Sequence, residues 1–151
     1  MKNKKINISI IASKFNEVIT LRLLKACEEQ LLRSGVKKNN INVHWVPGSF
    51  EIPVAALKLA RKKDIDCVIC LGAVIRGETM HYDLVARGAA EGIMQVSLLT
   101  GKPVIFGVLT TETYDQASRR SQSKGQNKGR DSAVAALKMI ELLRSIQVKN
   151  A

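Results

Sequence analysis

A chain of 151 residues, 46% of them hydrophobic, can bury one core without staples and is too apolar for disorder, so a single domain over 1–151 is expected. No apolar run reaches the roughly 18 residues that cross a bilayer, and the basic opening MKNKK precedes no small-residue cleavage site, which argues against a membrane partner or export and for the cytoplasm. The formal charge of +11 admits nucleic acid, but at 4% aromatic residues little is available to stack on bases, and no nucleic-acid partner is expected.

INISIIAS (6–13) is β-branched and apolar, a first strand. VITLRLLKACEEQLLRSG follows with leucines at helical spacing and stops at Gly35. INVHWV (41–46) is a second strand. EIPVAALKLARKK (51–63) is a helix whose proline falls in the first turn, where it is tolerated. DCVICLGAVI (66–75) is a third strand, and YDLVARGAAEGIMQVSLLTG (82–101) a helix despite Gly88 and Gly92. PVIFGVLTT (103–111) is a fourth strand. Polar SRRSQSKGQNKGRD (118–131) leads into a last helix, SAVAALKMIELLRSIQ.

Strand and helix alternate throughout, and the strands are continuous apolar runs. That pattern predicts an α/β three-layer sandwich: a four-stranded parallel sheet, doubly buried, with helices on both faces. Cys67 and Cys70 form a C-x-x-C, but three residues apart on a strand they face opposite sides. With Cys27 they are expected to be reduced core thiols, not a metal or redox site. Much of the cationic excess, in MKNKK, GVKKNN, ARKKD and Lys149, fits solvated edges and helix ends. Arg119, Arg120, Lys124, Lys128 and Arg130 stand apart as a cluster.

Ligands of such a sheet bind at the carboxyl ends of its strands. KFN follows the first strand, PGSFE the second, RGETMH the third and TTETYD the fourth. Aromatic, hydroxyl, carboxylate and imidazole groups therefore collect on one rim.

SKFNEVIT, VPGSFEIPVAA, GAVIRGETMHYD, FGVLTTETYDQA and NKG occur in the order and spacing of the lumazine synthases, and from Ile8 to Ile146 the chain resembles that family. The resemblance implies a flavodoxin-like fold, and a homopentamer with active sites between subunits. In capsid-forming relatives pentamers assemble further, with a segment ahead of the first strand contacting a neighbour; that segment is short here. Two small-molecule substrates are implied, 5-amino-6-(D-ribitylamino)uracil and 3,4-dihydroxy-2-butanone 4-phosphate. They give 6,7-dimethyl-8-ribityllumazine, phosphate and water, the penultimate step of riboflavin biosynthesis, with no metal or organic cofactor.

The family match sets Phe15, beside Asn16, under the pyrimidine ring, as aromatic stacking allows. Gly48, Ser49, Phe50 and Glu51 form the ribityl corner; Ser49 as an N-cap and Glu51 as a first-turn acid can coexist with that role, which only the family match puts ahead. Ala73, Val74 and Ile75 offer backbone groups to the pyrimidine edge; their side chains are core. Phe106 comes from the adjacent subunit to the far side of the ring, and Lys128, with Asp131 a turn on, reaches the same substrate. Gly77, Glu78 and Thr79 line the butanone phosphate, and Arg120 grips its phosphate as guanidinium does. Thr79 could equally cap the helix after it, and Arg76 could meet an anion or pair with Glu78 or Glu51. His81 is the proton shuttle for imine formation, phosphate loss and ring closure, chemistry for which imidazole is suited near neutral pH. His44, within a strand, carries no role.

Ser121, Gln122, Ser123 and Gln126 depart from the family's alanine and glycine pattern ahead of NKG, and Met80 replaces a small residue. Fewer glycines restrict the backbone of the phosphate loop, which bears on rate. The competing reading is a non-catalytic phospholigand or RNA-binding module, carried by the charge. A phosphoacceptor switch is excluded: it needs a carboxylate pair after the first strand and an aspartate ending the third, where this chain has Lys14–Phe15–Asn16 and Gly72–Ala73–Val74.

Overall fold

A computed structural model describes residues 5–149, with the side chains of 148 and 149 excepted; the basic opening at 1–4 and residues 150–151 lie outside it. Four parallel strands form one sheet: β1 (Ile8–Ser13), β2 (Ile41–Val46), β3 (Cys67–Ile75) and β4 (Val104–Thr111), in the order β2-β1-β3-β4. The register runs Ile8↔Ile41 and Ile8↔Cys67 on either side of β1, then Val68↔Val104 to β4. Because the chain steps outward from β1 to β2 and then returns past it to β3, its right-handed crossovers must use opposite faces of the sheet.

α1 (Glu17–Arg33) and α5 (Lys128–Lys149) cover one face, and α2 (Ile52–Ala60) and α3 (His81–Thr100) the other. Alternate residues of β3 feed the two cores: Ile69, Leu71 and Ala73 pack toward α1 and α5, and Val68, Cys70 and Val74 toward α2 and α3. Cys67 and Cys70 fall in different cores, as their strand spacing requires.

Three local differences from the sequence pattern have clear causes. β2 lies at a sheet edge where the helices pack mainly on its neighbours, leaving His44 and Trp45 exposed where a doubly buried run was expected. A helix absent from the sequence reading, α4 (Tyr114–Arg119), begins at a full capping box: the Gln116 N–H donates to the Thr113 hydroxyl, and the Thr113 N–H to Gln116 Oε1. The last helix also starts at Lys128, earlier than expected, because buried Asn127 accepts from the N–H groups of Gly129 (2.8 Å) and Arg130 (3.2 Å) through Oδ1. Gly88 and Gly92 suit α3 for a packing reason: a Cβ on either would meet the Phe50 ring or the Pro53 ring at 3.0 Å or less.

Candidate functional site

Strand order reverses between β1 and β3, so their carboxyl ends flank the crevice where α/β sheets bind ligands. The chain leaves β1 through Lys14 and Phe15, whose N–H groups donate to Val46 O and Pro47 O at 2.8 and 3.0 Å, and this lays the β1 loop along the end of β2. Phe15 stands 72% exposed there. Asn16, at φ 58° and ψ 46°, adopts the left-handed conformation and sends its side-chain amide across to Ala73 O at 2.8 Å. Sequence reasoning missed that link, although asparagine is the residue, after glycine, that enters this region most readily.

Gly48 leads into a 3-10 turn, Ser49–Glu51, ahead of α2. The N-cap role considered for Ser49 does not hold, whereas Glu51 is an acid in the first turn of the 3-10 segment. Glu51 itself occupies the N-cap position of α2 with no side-chain cap, and Ser49 lies buried two residues earlier. The Ser49 hydroxyl and the fully buried Ser13 hydroxyl both approach Gly72: a Cβ there would lie 2.8 Å from Ser49 Oγ and 2.5 Å from Ser13 Oγ. Ser13 Oγ has no hydrogen-bond partner among the described residues. Phe50 is exposed, its ring against Gly88 of α3.

β3 delivers Ala73, Val74 and Ile75 to the same edge, the first two buried and the third half-buried. Gly77, Glu78 and Thr79 form the exposed loop beyond. Thr79 Oγ1 accepts from the His81 N–H at 3.3 Å, and His81 opens α3, exposed on the rim. Arg76 takes neither partner expected for it. It is paired with Asp83 (3.2 Å) and Glu112 (2.6 Å) because α3 begins and β4 ends beside it: Asp83 is in the first turn of α3, and Glu112 directly follows β4. Those bonds, Asp83 first and Glu112 second, raise the guanidinium pKa above its ordinary value.

Phe15, Asn16, Gly48 to Glu51, Ala73 to Ile75 and Gly77 to His81 are thus brought together. Phe106, Arg120 and Lys128 are not. Phe106 is half-buried opposite Cys70, five positions down β4 from the Ile75↔Thr111 pair, a distance of roughly 16 Å along a strand. Arg120 and Lys128 meet each other through the Lys128 N–H to Arg120 O bond, 3.0 Å. Their loop joins the α1 face, where the Asn127 amide donates to Arg22 O, on the other side of the sheet from Phe50 and α3.

The three thiols are buried and unpaired. Burial pushes Cys27 up to about 12 and holds Cys67 and Cys70 well above the ordinary thiol range, so none supplies a thiolate nucleophile. The rim offers instead a flat aromatic surface, backbone donors and acceptors, hydroxyls and one imidazole. That set can hold a planar heterocycle bearing a polyol and move protons beside it.

A family model described as 6,7-dimethyl-8-ribityllumazine synthase matches residues 5–144.

Proposed function

The chain belongs to the 6,7-dimethyl-8-ribityllumazine synthase family, and from that membership we propose that the rim between β1 and β3 is its substrate site. The reaction is the condensation of 5-amino-6-(D-ribitylamino)uracil with 3,4-dihydroxy-2-butanone 4-phosphate to 6,7-dimethyl-8-ribityllumazine, phosphate and water, in riboflavin biosynthesis.

In this reading Phe15 stacks under the pyrimidine, and the backbone of Ala73, Val74 and Ile75 pairs with its edge, with Asn16 bracing the loop. Gly48, Ser49, Phe50 and Glu51 hold the ribityl chain. Gly77, Glu78 and Thr79 line the butanone phosphate. His81 shuttles protons as the amine and ketone form an imine, phosphate leaves and the second ring closes. Holding two reactants in register removes much of the entropic barrier to joining them. What supports the assignment is that Phe15 after β1, Phe50 in the 3-10 turn after β2 and His81 at the start of α3 after β3 all follow strand ends on one edge of the sheet.

The same reading makes the enzyme a single-domain cytoplasmic homopentamer whose sites lie between subunits, with Phe106, Arg120 and Lys128 reaching a neighbour's rim. Two features support it. Those three residues lie off the rim of their own chain. α3 also exposes Leu84, Met94, Leu98 (77%) and Leu99, with Met80 (73%) just ahead of it and Val54 on α2, an apolar face of the kind that subunit contacts cover. Reduced thiols and the lack of any described helix able to cross a membrane agree with a cytoplasmic enzyme.

The test is to mix purified protein with both substrates and follow lumazine formation against a protein-free control. Acceleration that requires Arg120 is expected. No acceleration from folded, oligomeric protein overturns the reading.

A further inference from the structure

The start of α3 is held to its entry loop by one long side-chain bond, from the His81 N–H to Thr79 Oγ1 at 3.3 Å. Its N-cap position is Met80, with no side-chain cap, whereas α4 has both halves of a capping box. Yet α3 begins at His81, and a proton shuttle must be held within a fraction of an ångström of its substrate.

Arg76 supplies a second and more extensive tether. Its own N–H donates to Thr111 O at 2.9 Å, fixing the end of β3 to the end of β4. Nη1 and Nη2 donate to the two oxygens of Asp83 at 3.2 and 3.3 Å, and Nε to Glu112 Oε2 at 2.6 Å. The guanidinium carbon also lies 4.4 Å from the centroid of the Tyr82 ring. One planar group thereby grips both residues that follow His81 and ties them to the sheet. A single exposed ion pair contributes little, but a bidentate fork joined to a second carboxylate and an aromatic face is a network with one geometry. Lysine keeps the charge and cannot reproduce the fork.

We propose that Arg76 is a positioning residue: its clamp on Asp83, Glu112 and Tyr82 sets the first turn of α3 and so aims His81 at the reacting groups. The inference rests on the proton-transfer role of His81 and deepens it. It predicts a defect in turnover, not in binding, because the clamp touches neither the uracil nor the ribityl corner.

The experiment compares kcat and both KM values for Arg76→Lys, His81→Ala and the double variant, with thermal midpoints alongside. Arg76→Lys should lower kcat by about tenfold, within the range that a misplacement of an ångström or less produces, with both KM values and the thermal midpoint held. Glu112→Gln, which removes one carboxylate of the clamp, should give a smaller loss of the same kind. The double variant should be no slower than His81→Ala, since a group that acts through His81 has nothing left to position. Wild-type kcat in Arg76→Lys, or a double variant slowed by the product of the two single effects, overturns the inference while leaving the His81 role standing. Full turnover in His81→Ala overturns the role itself, and the inference with it.

Discussion

The side-chain amide of Asn16 donates to the main-chain carbonyl of Ala73 at 2.8 Å, across the point where strand order reverses. Asn16 makes this bond from a left-handed backbone and sits between the exposed Phe15 ring and the first turn of α1. One bond therefore fixes the aromatic loop after β1 to the strand end that is proposed to hold the pyrimidine.

Asn16→Ala should lose both the bond and the ease of positive φ, at about 2 kcal/mol of stability. Asn16→Gly keeps the conformation and loses the bond alone, at about 1 kcal/mol. Both should raise KM for the uracil substrate and spare that for the phosphate. Chemical denaturation and steady-state kinetics check this; equal stability in the two variants would dissociate the backbone from the effect.

Gly72→Ala should be tolerated poorly, because the new methyl would lie 2.5 Å from Ser13 Oγ and 2.8 Å from Ser49 Oγ. Overpacking of this kind costs about 1–3 kcal/mol. Adding Ser13→Ala removes the nearer oxygen and should recover part of the loss, read as the denaturation midpoint.

Arg120→Ala should weaken use of the butanone phosphate far more than binding of the uracil. Loss of a charge-assisted bond of about 1.5–3 kcal/mol corresponds to roughly 10- to 150-fold in KM. Equal losses for the two substrates in separate titrations would refute the phosphate role.

Leu98→Glu combined with Leu99→Lys places charges on the exposed face of α3. If that face is a subunit contact, sedimentation should show smaller species with native circular dichroism, and activity should fall with assembly. Unchanged sedimentation would remove α3 from the interface.

Burial, and next the neighbouring Glu28, lifts the Cys27 thiol from 9.0 to about 12. The folded chain therefore keeps a proton that the unfolded chain releases above pH 9. This contribution to stability is complete below pH 9 and is lost as pH rises toward 12. Stability measured across that window should fall less steeply in Cys27→Ala, by about one proton.

Much of the layout was legible from local pattern. The alternation of apolar strands with helices predicted the parallel sheet, and the motif spacing placed Phe15, Ser49 to Glu51 and His81 at strand ends. The capping box that opens α4, Thr113-x-x-Gln116, was also present in the chain and passed over, because the polar stretch around it hides a short helix. Arg76 was legible only as a cation near carboxylates. Asp83 is seven residues away and Glu112 thirty-six, and nothing local says which carboxylate the sheet will bring beside it.

The sequence by itself determined the four strands and most of the helices, the sheet edge where the polar groups collect, and the family, since periodicity, strand-end composition and motif order are properties of residues close in the chain. Tertiary structure alone decided that Asn16 braces Ala73, that Arg76 clamps the start of α3, and that Phe106, Arg120 and Lys128 lie off the rim of their own chain. Those outcomes depend on which strands become neighbours and which face each crossover takes, and such long-range choices are fixed by packing of the whole sheet.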